Sequence, residues 1–258
     1  MDVVSAGGLV VAGTGMGTSA GAPDFVAPAW PPGPRRLAAA PGAVDVWRVA
    51  LSGGARAAAA CLPLLPDAER DRAARLGAAS LRHDHVVAHG ALHDVLSRYL
   101  DRPARRIALV RGEWGRPELD GGGLSFNLSH TDGCAVVAVA ADGPVGVDVE
   151  ALRAFPGGLA LARRFFTRAE ADRLARLAEP ARSELFLRTW TCKESCLKAT
   201  GRGLSGSPAS VDVDPRRVEP APGWAVRELR PSARHVAALA VPGEAPRVRR
   251  WTWERPAC

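Results

Sequence analysis

Three carboxylates and a lysine stand at spacings that could serve phosphate chemistry. In Val145-Gly-Val-Asp-Val-Glu150 apolar and acidic residues alternate, as in a β-strand. Side chains two apart on a strand share a face, which sets Asp148 beside Glu150. Some forty positions later comes Trp190-Thr-Cys-Lys-Glu-Ser-Cys-Leu-Lys198. There Trp190, Glu194 and Lys198 recur at i, i+4 and i+8 and line one side of a helix. If that helix lies across the strand, Asp148, Glu150 and Glu194 converge beside Lys198. Carboxylates crowded in this way require a cation. Oxygen ligands without a neighbouring His or Cys favour Mg²⁺ over zinc, and Mg²⁺ with an adjacent lysine suits a diphosphate. Taken singly, an acidic pair on a strand or a Lys-Glu helix is more often a solvated face.

Three other stretches carry recognisable patterns: Ser125-Phe-Asn-Leu-Ser-His-Thr-Asp-Gly133, Gly115-Arg-Pro117 and Arg164-Phe-Phe-Thr-Arg-Ala-Glu170. With the strand and the helix, these resemble, in order, the motifs of the surfactin-synthetase-activating type of 4′-phosphopantetheinyl transferase. In that family the strand reads Gly-(Ile/Val)-Asp-(Ile/Val)-Glu and the helix Trp-x-x-Lys-Glu-(Ser/Ala)-x-x-x-Lys. The Ser-His segment is expected as a turn, and Arg116 stands where the family commonly has Lys. The resemblance runs from about residue 66 to about residue 200.

The resemblance implies an α+β fold of two similar halves with the active site in the cleft between them. It implies transfer of 4′-phosphopantetheine from coenzyme A to a serine of an acyl or peptidyl carrier protein, releasing 3′,5′-ADP. Asp148, Glu150 and Glu194 would hold Mg²⁺, and Lys198 would neutralise diphosphate oxygens. Glu194 is the first candidate for the base, directly or through water, and Glu170 the second. Glu170 also stands at a capping-box position and could merely close a helix. Ser129 and His130 would meet the coenzyme, His130 at its 3′-phosphate. Arg116 is the candidate for the adenylate phosphates, and Arg82 a further basic contact with His85 and His89 behind it. The four histidines within 81–93 could equally be a solvated helix face. Two other readings stay open: a non-catalytic carrier-protein binder and a Mg²⁺-dependent phosphohydrolase.

The elements that must position these residues follow from periodicity. A Gly-, Pro- and Ala-rich stretch, 1–40, reads as a flexible leader. Strands are expected at 44–51, 107–110, 124–128, 134–140 and 145–150, then at 210–213, 224–229, 235–241 and 248–253. Helical periodicity opens at 66–67, with Asp67 as N-cap, and runs with breaks to Leu100. Helices follow at 159–166, 168–178 and 180–199, the second capped by Thr167. The turn at 141–144 divides an N-terminal half, 41–142, from a C-terminal half, 143–258, that carries the metal site.

Composition narrows the class. The chain has 258 residues, a net charge of +7 and five cysteines. No apolar run reaches the roughly 20 residues of a membrane span. There is no basic n-region of a signal peptide and no nucleic-acid module. The cysteines lack metal spacing, and Cys192 and Cys196 read as small apolar residues of a protein in a reducing cytosol. The expectation is a cytoplasmic monomer with no membrane or nucleic-acid partner. Its positive charge suits an acidic protein partner, and carrier proteins are acidic. The motif variant with Trp190 and Ser195 suits enzymes of polyketide or nonribosomal peptide synthesis.

Overall fold

A computed structural model describes residues 30–112, 115–201, 212–213 and 223–256. The fold is α+β. Strands β1 (Ala43–Ala50), β4 (Ser125–Thr131), β5 (Cys134–Ala140) and β9 (Arg247–Thr252) form one sheet in the order β4-β5-β1-β9. Strands β6 (Gly146–Ala151), β7 (Trp224–Ser232) and β8 (His235–Pro242) form a second, ordered β6-β8-β7. A small ribbon pairs β2 (Leu109–Arg111) with β3 (Pro117–Leu119).

The layering follows from side-chain alternation. On β5, Ala135, Val137 and Val139 face one core, and Val136, Ala138 and Ala140 face another. Burial on both faces explains why β5 reads as a continuous apolar run. The first core lies under the long helix α3 (Ala79–Leu100), where Trp47, Val87, Leu92 and Leu96 meet. The second lies between the sheets, where Val46 and Val136 meet Val147 and Leu239. Helix α6 (Ala181–Thr200) covers the far side of the second sheet: Cys192 packs with Ala238, and Cys196 with Ala240. Both cysteines are buried and free, as small apolar residues.

Two shorter helices, α4 (Gly158–Phe165) and α5 (Arg168–Ala175), lead into α6. Thr167 caps α5 as expected: its hydroxyl accepts from the Glu170 N–H while Glu170 returns a bond to the Thr167 N–H. Helix α2 (Asp67–Ala74) begins after Pro66, so Asp67 is a first-turn residue and not the N-cap. Helix α1 (Gly54–Cys61) is unannounced by the sequence pattern. The expected strand at 210–213 falls mostly outside the described residues, as do the first 29 residues of the leader.

Two expectations about boundaries change. Residues 30–40, read as leader, are packed on the body. Trp30 is buried in the core between the sheets and donates its Nε1–H to the Arg230 carbonyl. Leu37 packs on the α3 core, and Arg98 donates to the carbonyls of Gly33 and Pro34. A proline-rich run supplies few apolar side chains, but Trp30 and Leu37 are enough to anchor it. The chain's end also crosses back: β9 runs parallel to β1, Trp251 opposite Trp47, so the first sheet contains residues from beyond the expected division at 142/143.

Candidate active site

Gly146 explains how the carboxylate strand and the motif helix meet. A Cβ there would lie 2.0 Å from the Ser195 carbonyl oxygen and 2.4 Å from the Ala199 nitrogen. With no side chain, the backbone of α6 rests directly on β6. Val145, Val147 and Val149 point into the core between the sheets. The opposite face of β6, the one Gly146 turns to α6, therefore carries Asp148 and Glu150. Glu194 and Lys198, one turn apart on α6, come down beside them. Trp190 packs in an aromatic stack with Phe166 and Phe186, holding the first half of the helix.

Asp148, Glu150 and Glu194 are 5 %, 6 % and 5 % exposed. Lys198 Nζ donates to Asp148 Oδ1 at 2.6 Å and to Ser129 Oγ at 2.9 Å. Ser129 donates its hydroxyl to the same Asp148 Oδ1 at 2.8 Å. Glu150 accepts from Arg153 at 3.2 Å. Burial and then the Asp148 charge push the Glu194 carboxyl up to about 7, and the same two causes raise Glu150. Asp148 Oδ2 and Glu194 Oε1 are buried with no hydrogen-bond partner. Unpartnered buried carboxylate oxygens under mutual repulsion are the donor set a hard divalent cation would satisfy.

The Ser-His segment is not a turn. It is strand β4, and its alternation has a purpose: Phe126 enters the α3 core while Asn127 and Ser129 turn toward β6. Asn127 Oδ1 accepts from the Val147 N–H at 2.9 Å, tying the two sheets together immediately beside the site. His130 is half-buried, and burial, then His89 and Lys198, push its imidazole down to about 4.

Other expected site residues lie elsewhere. Glu170 is 2 % exposed, and Lys193 Nζ stands 2.8 Å from its Oε2. Its Oε1 accepts from the Val213 N–H and its Oε2 from the Thr167 N–H. Those contacts make Glu170 the close of a helix and one member of a buried ion pair, and withdraw it from the candidates for a base. Arg116 donates to the backbone carbonyls of Phe126, Val145 and Ala199, stapling β4, β6 and the end of α6. It lines a cavity of about 460 Å³ with Glu118, Thr200 and Trp224, and none of the three carboxylates reaches that cavity. Arg82 donates to the carbonyls of Leu76 and Gly77 at the start of α3.

The histidines of α3 are no solvated face. His93 is fully buried, and the rings of His85 and His89 stack with centroids 3.9 Å apart. Glu69 of α2 joins them, a residue that sequence reasoning missed; the only signal was the i, i+4 spacing of His85, His89 and His93.

The α+β fold thus gathers three buried carboxylates beside a lysine. Residues 144–237 match the sequence model of the 4′-phosphopantetheinyl transferase superfamily. The chain is 32 % identical over 222 residues to the 4′-phosphopantetheinyl transferase HetI of a Nostoc species, covering 83 % of this chain and 94 % of that protein. It is 30 % identical over 124 residues to the 4′-phosphopantetheinyl transferase Sfp of Bacillus subtilis, 48 % of this chain and 54 % of that one. Over 126 residues it is 36 % identical to the L-aminoadipate-semialdehyde dehydrogenase-phosphopantetheinyl transferase of Xenopus laevis, 44 % and 41 % of the two chains. The chain belongs to the 4′-phosphopantetheinyl transferase superfamily and is a transferase.

Proposed function

We propose that this protein moves 4′-phosphopantetheine from coenzyme A to a serine hydroxyl of an apo carrier protein, with Mg²⁺ held by Asp148, Glu150 and Glu194. The observation that carries the reading is the pair of buried oxygens, Asp148 Oδ2 and Glu194 Oε1, left without partners in a carboxylate cluster beside Lys198. The bound Mg²⁺ supplies charge neutralisation at the diphosphate.

The chain's own residues do the rest. The serine oxygen forms a bond to the β-phosphorus, and the bond from that phosphorus to the bridging oxygen breaks, so 3′,5′-ADP leaves. Phosphoryl transfer of this kind depends on positioning and on charge stabilisation. Lys198, the cation nearest the cluster, is fixed by Asp148 and Ser129 and meets the phosphate oxygens from one side. Glu194 accepts the serine proton, directly or through water. His130, neutral in the free protein, gains a partner at the 3′-phosphate of the coenzyme.

The positive net charge and the acidity of carrier proteins favour electrostatically steered docking. We further assign the enzyme to polyketide or nonribosomal peptide synthesis, acting as a cytoplasmic monomer. No helix among the described residues is long and apolar enough to cross a membrane. A panel of apo carriers incubated with coenzyme A and Mg²⁺, followed by intact mass measurement, tests the assignment. Carriers of those two pathways should be modified with the higher kcat/KM; preference for a fatty-acid carrier would overturn the pathway.

A further inference from the structure

Away from the carboxylate cluster, α2 and α3 cross where Glu69 meets His85 and His89. One ligand atom from each of the three lies within 4.8 Å of the others. His89 Nδ1 stands 3.3 Å from Glu69 Oε2. A tetrahedral zinc with bonds of 2.0–2.1 Å sets its ligand atoms about 3.3 Å apart, so that edge needs no movement. Glu69 Oε2, His85 Nε2 and His89 Nδ1 are all buried without a hydrogen-bond partner. Glu69 and His89 face each other as an ion pair, and His85 Nε2 beside them has no partner, a costly arrangement unless something binds it.

We propose that Glu69, His85 and His89 form a second cation site, selective for a first-row transition metal such as Zn²⁺. The i, i+4 spacing on α3 puts both imidazoles on one side of the helix, and Glu69 closes the set from α2. Two imidazoles and one carboxylate suit zinc and its neighbours, whereas Mg²⁺ takes oxygen. Burial, and then the neighbouring His89, push His85 down to about 3, which leaves its lone pair free at neutral pH. Arg72 and His130 also face His85. His93, one turn further along α3, stays outside the group. Three protein ligands leave a fourth position for water. The metal would pin α2 to α3, and its binding does not depend on the transfer chemistry proposed above.

The test uses the full chain, stripped with a chelator and then supplied with excess Mg²⁺ to occupy the carboxylate cluster. Titration with Zn²⁺ should show a single saturable site, and zinc should raise the melting temperature where further Mg²⁺ does not. Substitution by Co²⁺ should give the visible absorption of a low-coordinate nitrogen–oxygen site. His85→Gln and Glu69→Gln should each weaken zinc binding by at least about tenfold, while Asp148→Asn leaves it unchanged. Absence of saturable zinc binding to the unaltered chain would overturn the proposal. So would equal affinity in the unaltered chain and His85→Gln, since the cluster would then be an imidazolium–carboxylate pair.

Discussion

Lys193 Nζ lies 2.8 Å from Glu170 Oε2, with both side chains 1 % exposed. The pair bridges α5 to the middle of α6, one residue before Glu194. Burial pulls the lysine's pKa down, and the hydrogen bond it donates to Glu170 opposes that. Removing one partner of a buried pair costs about 3–5 kcal/mol, because the other is stranded without compensation. Glu170→Ala should therefore lower the denaturation midpoint by an amount of that order. The double change Glu170→Gln with Lys193→Met should recover part of it. Normal stability with lost transfer activity in Glu170→Ala would restore Glu170 as a candidate base.

The contact of β6 with α6 depends on Gly146. A methyl group there meets backbone atoms of Ser195 and Ala199, which no side-chain rotation relieves. Gly146→Ala should destabilise by more than the ~1–3 kcal/mol typical of overpacking and reduce transfer by displacing Asp148 from Glu194. Denaturant unfolding and turnover measured on the same preparation check both. Unchanged stability would mean that the strand and helix separate without loss.

Trp30 makes truncation position-dependent. Removing 1–29 leaves that indole in place. Removing 1–36 deletes it together with the bonds from Arg98 to Gly33 and Pro34. Loss of a buried tryptophan costs about 3–5 kcal/mol, so the longer truncation should melt well below the shorter one. Equal melting temperatures would show that residues 30–36 contribute nothing to the body.

Acid should weaken the fold through its buried histidines, although Glu194, held near 7, takes up its proton in the same range and offsets part of the loss. Burial holds both His93 and His130 down to about 4, against an ordinary 6.5. Between those values the unfolded chain binds more protons than the folded one, so stability falls as pH drops. The slope is up to about 1.4 kcal/mol per pH unit for each histidine. Around His93 stand His89, which pushes it the same way, and Glu69, which opposes it. Glu69, drawn down to about 2, loses its own contribution only at lower pH. Unfolding free energies measured from about pH 7 to about pH 5 should decline, and His93→Gln should flatten the decline. The same profile in His93→Gln as in the unaltered chain would contradict a buried, neutral His93.

The strand Gly146–Ala151 and the helix Ala181–Thr200 are legible in the sequence because their chemistry rides on their periodicity. Asp148 and Glu150 alternate with valines, and Glu194 and Lys198 repeat every turn. The same holds for Thr167, whose partner Glu170 lies within its own helix. Legibility fails where partners come from distant segments. Nothing near Glu170 in the chain announces Lys193, and nothing near His85 announces Glu69. Helix Gly54–Cys61 has five alanines among its eight residues and carries no side-chain cap, so neither periodicity nor capping marks it. His130 lies within a strand and not in a turn, and Asn127 and Ser129 on that strand bond to β6, a contact between sheets that local pattern does not encode.

In the proposed reaction, the Asp148–Glu150–Glu194 cluster holds the cation used to transfer phosphopantetheine. The most direct measurement is the intact mass of an apo carrier protein after incubation with coenzyme A, with and without Mg²⁺, using the unaltered chain and Asp148→Asn. The unaltered chain should add a phosphopantetheine to the carrier serine only when Mg²⁺ is present, and a folded Asp148→Asn protein should add almost none. Transfer that persists in EDTA, or a near-normal rate in Asp148→Asn, would contradict that role of the cluster.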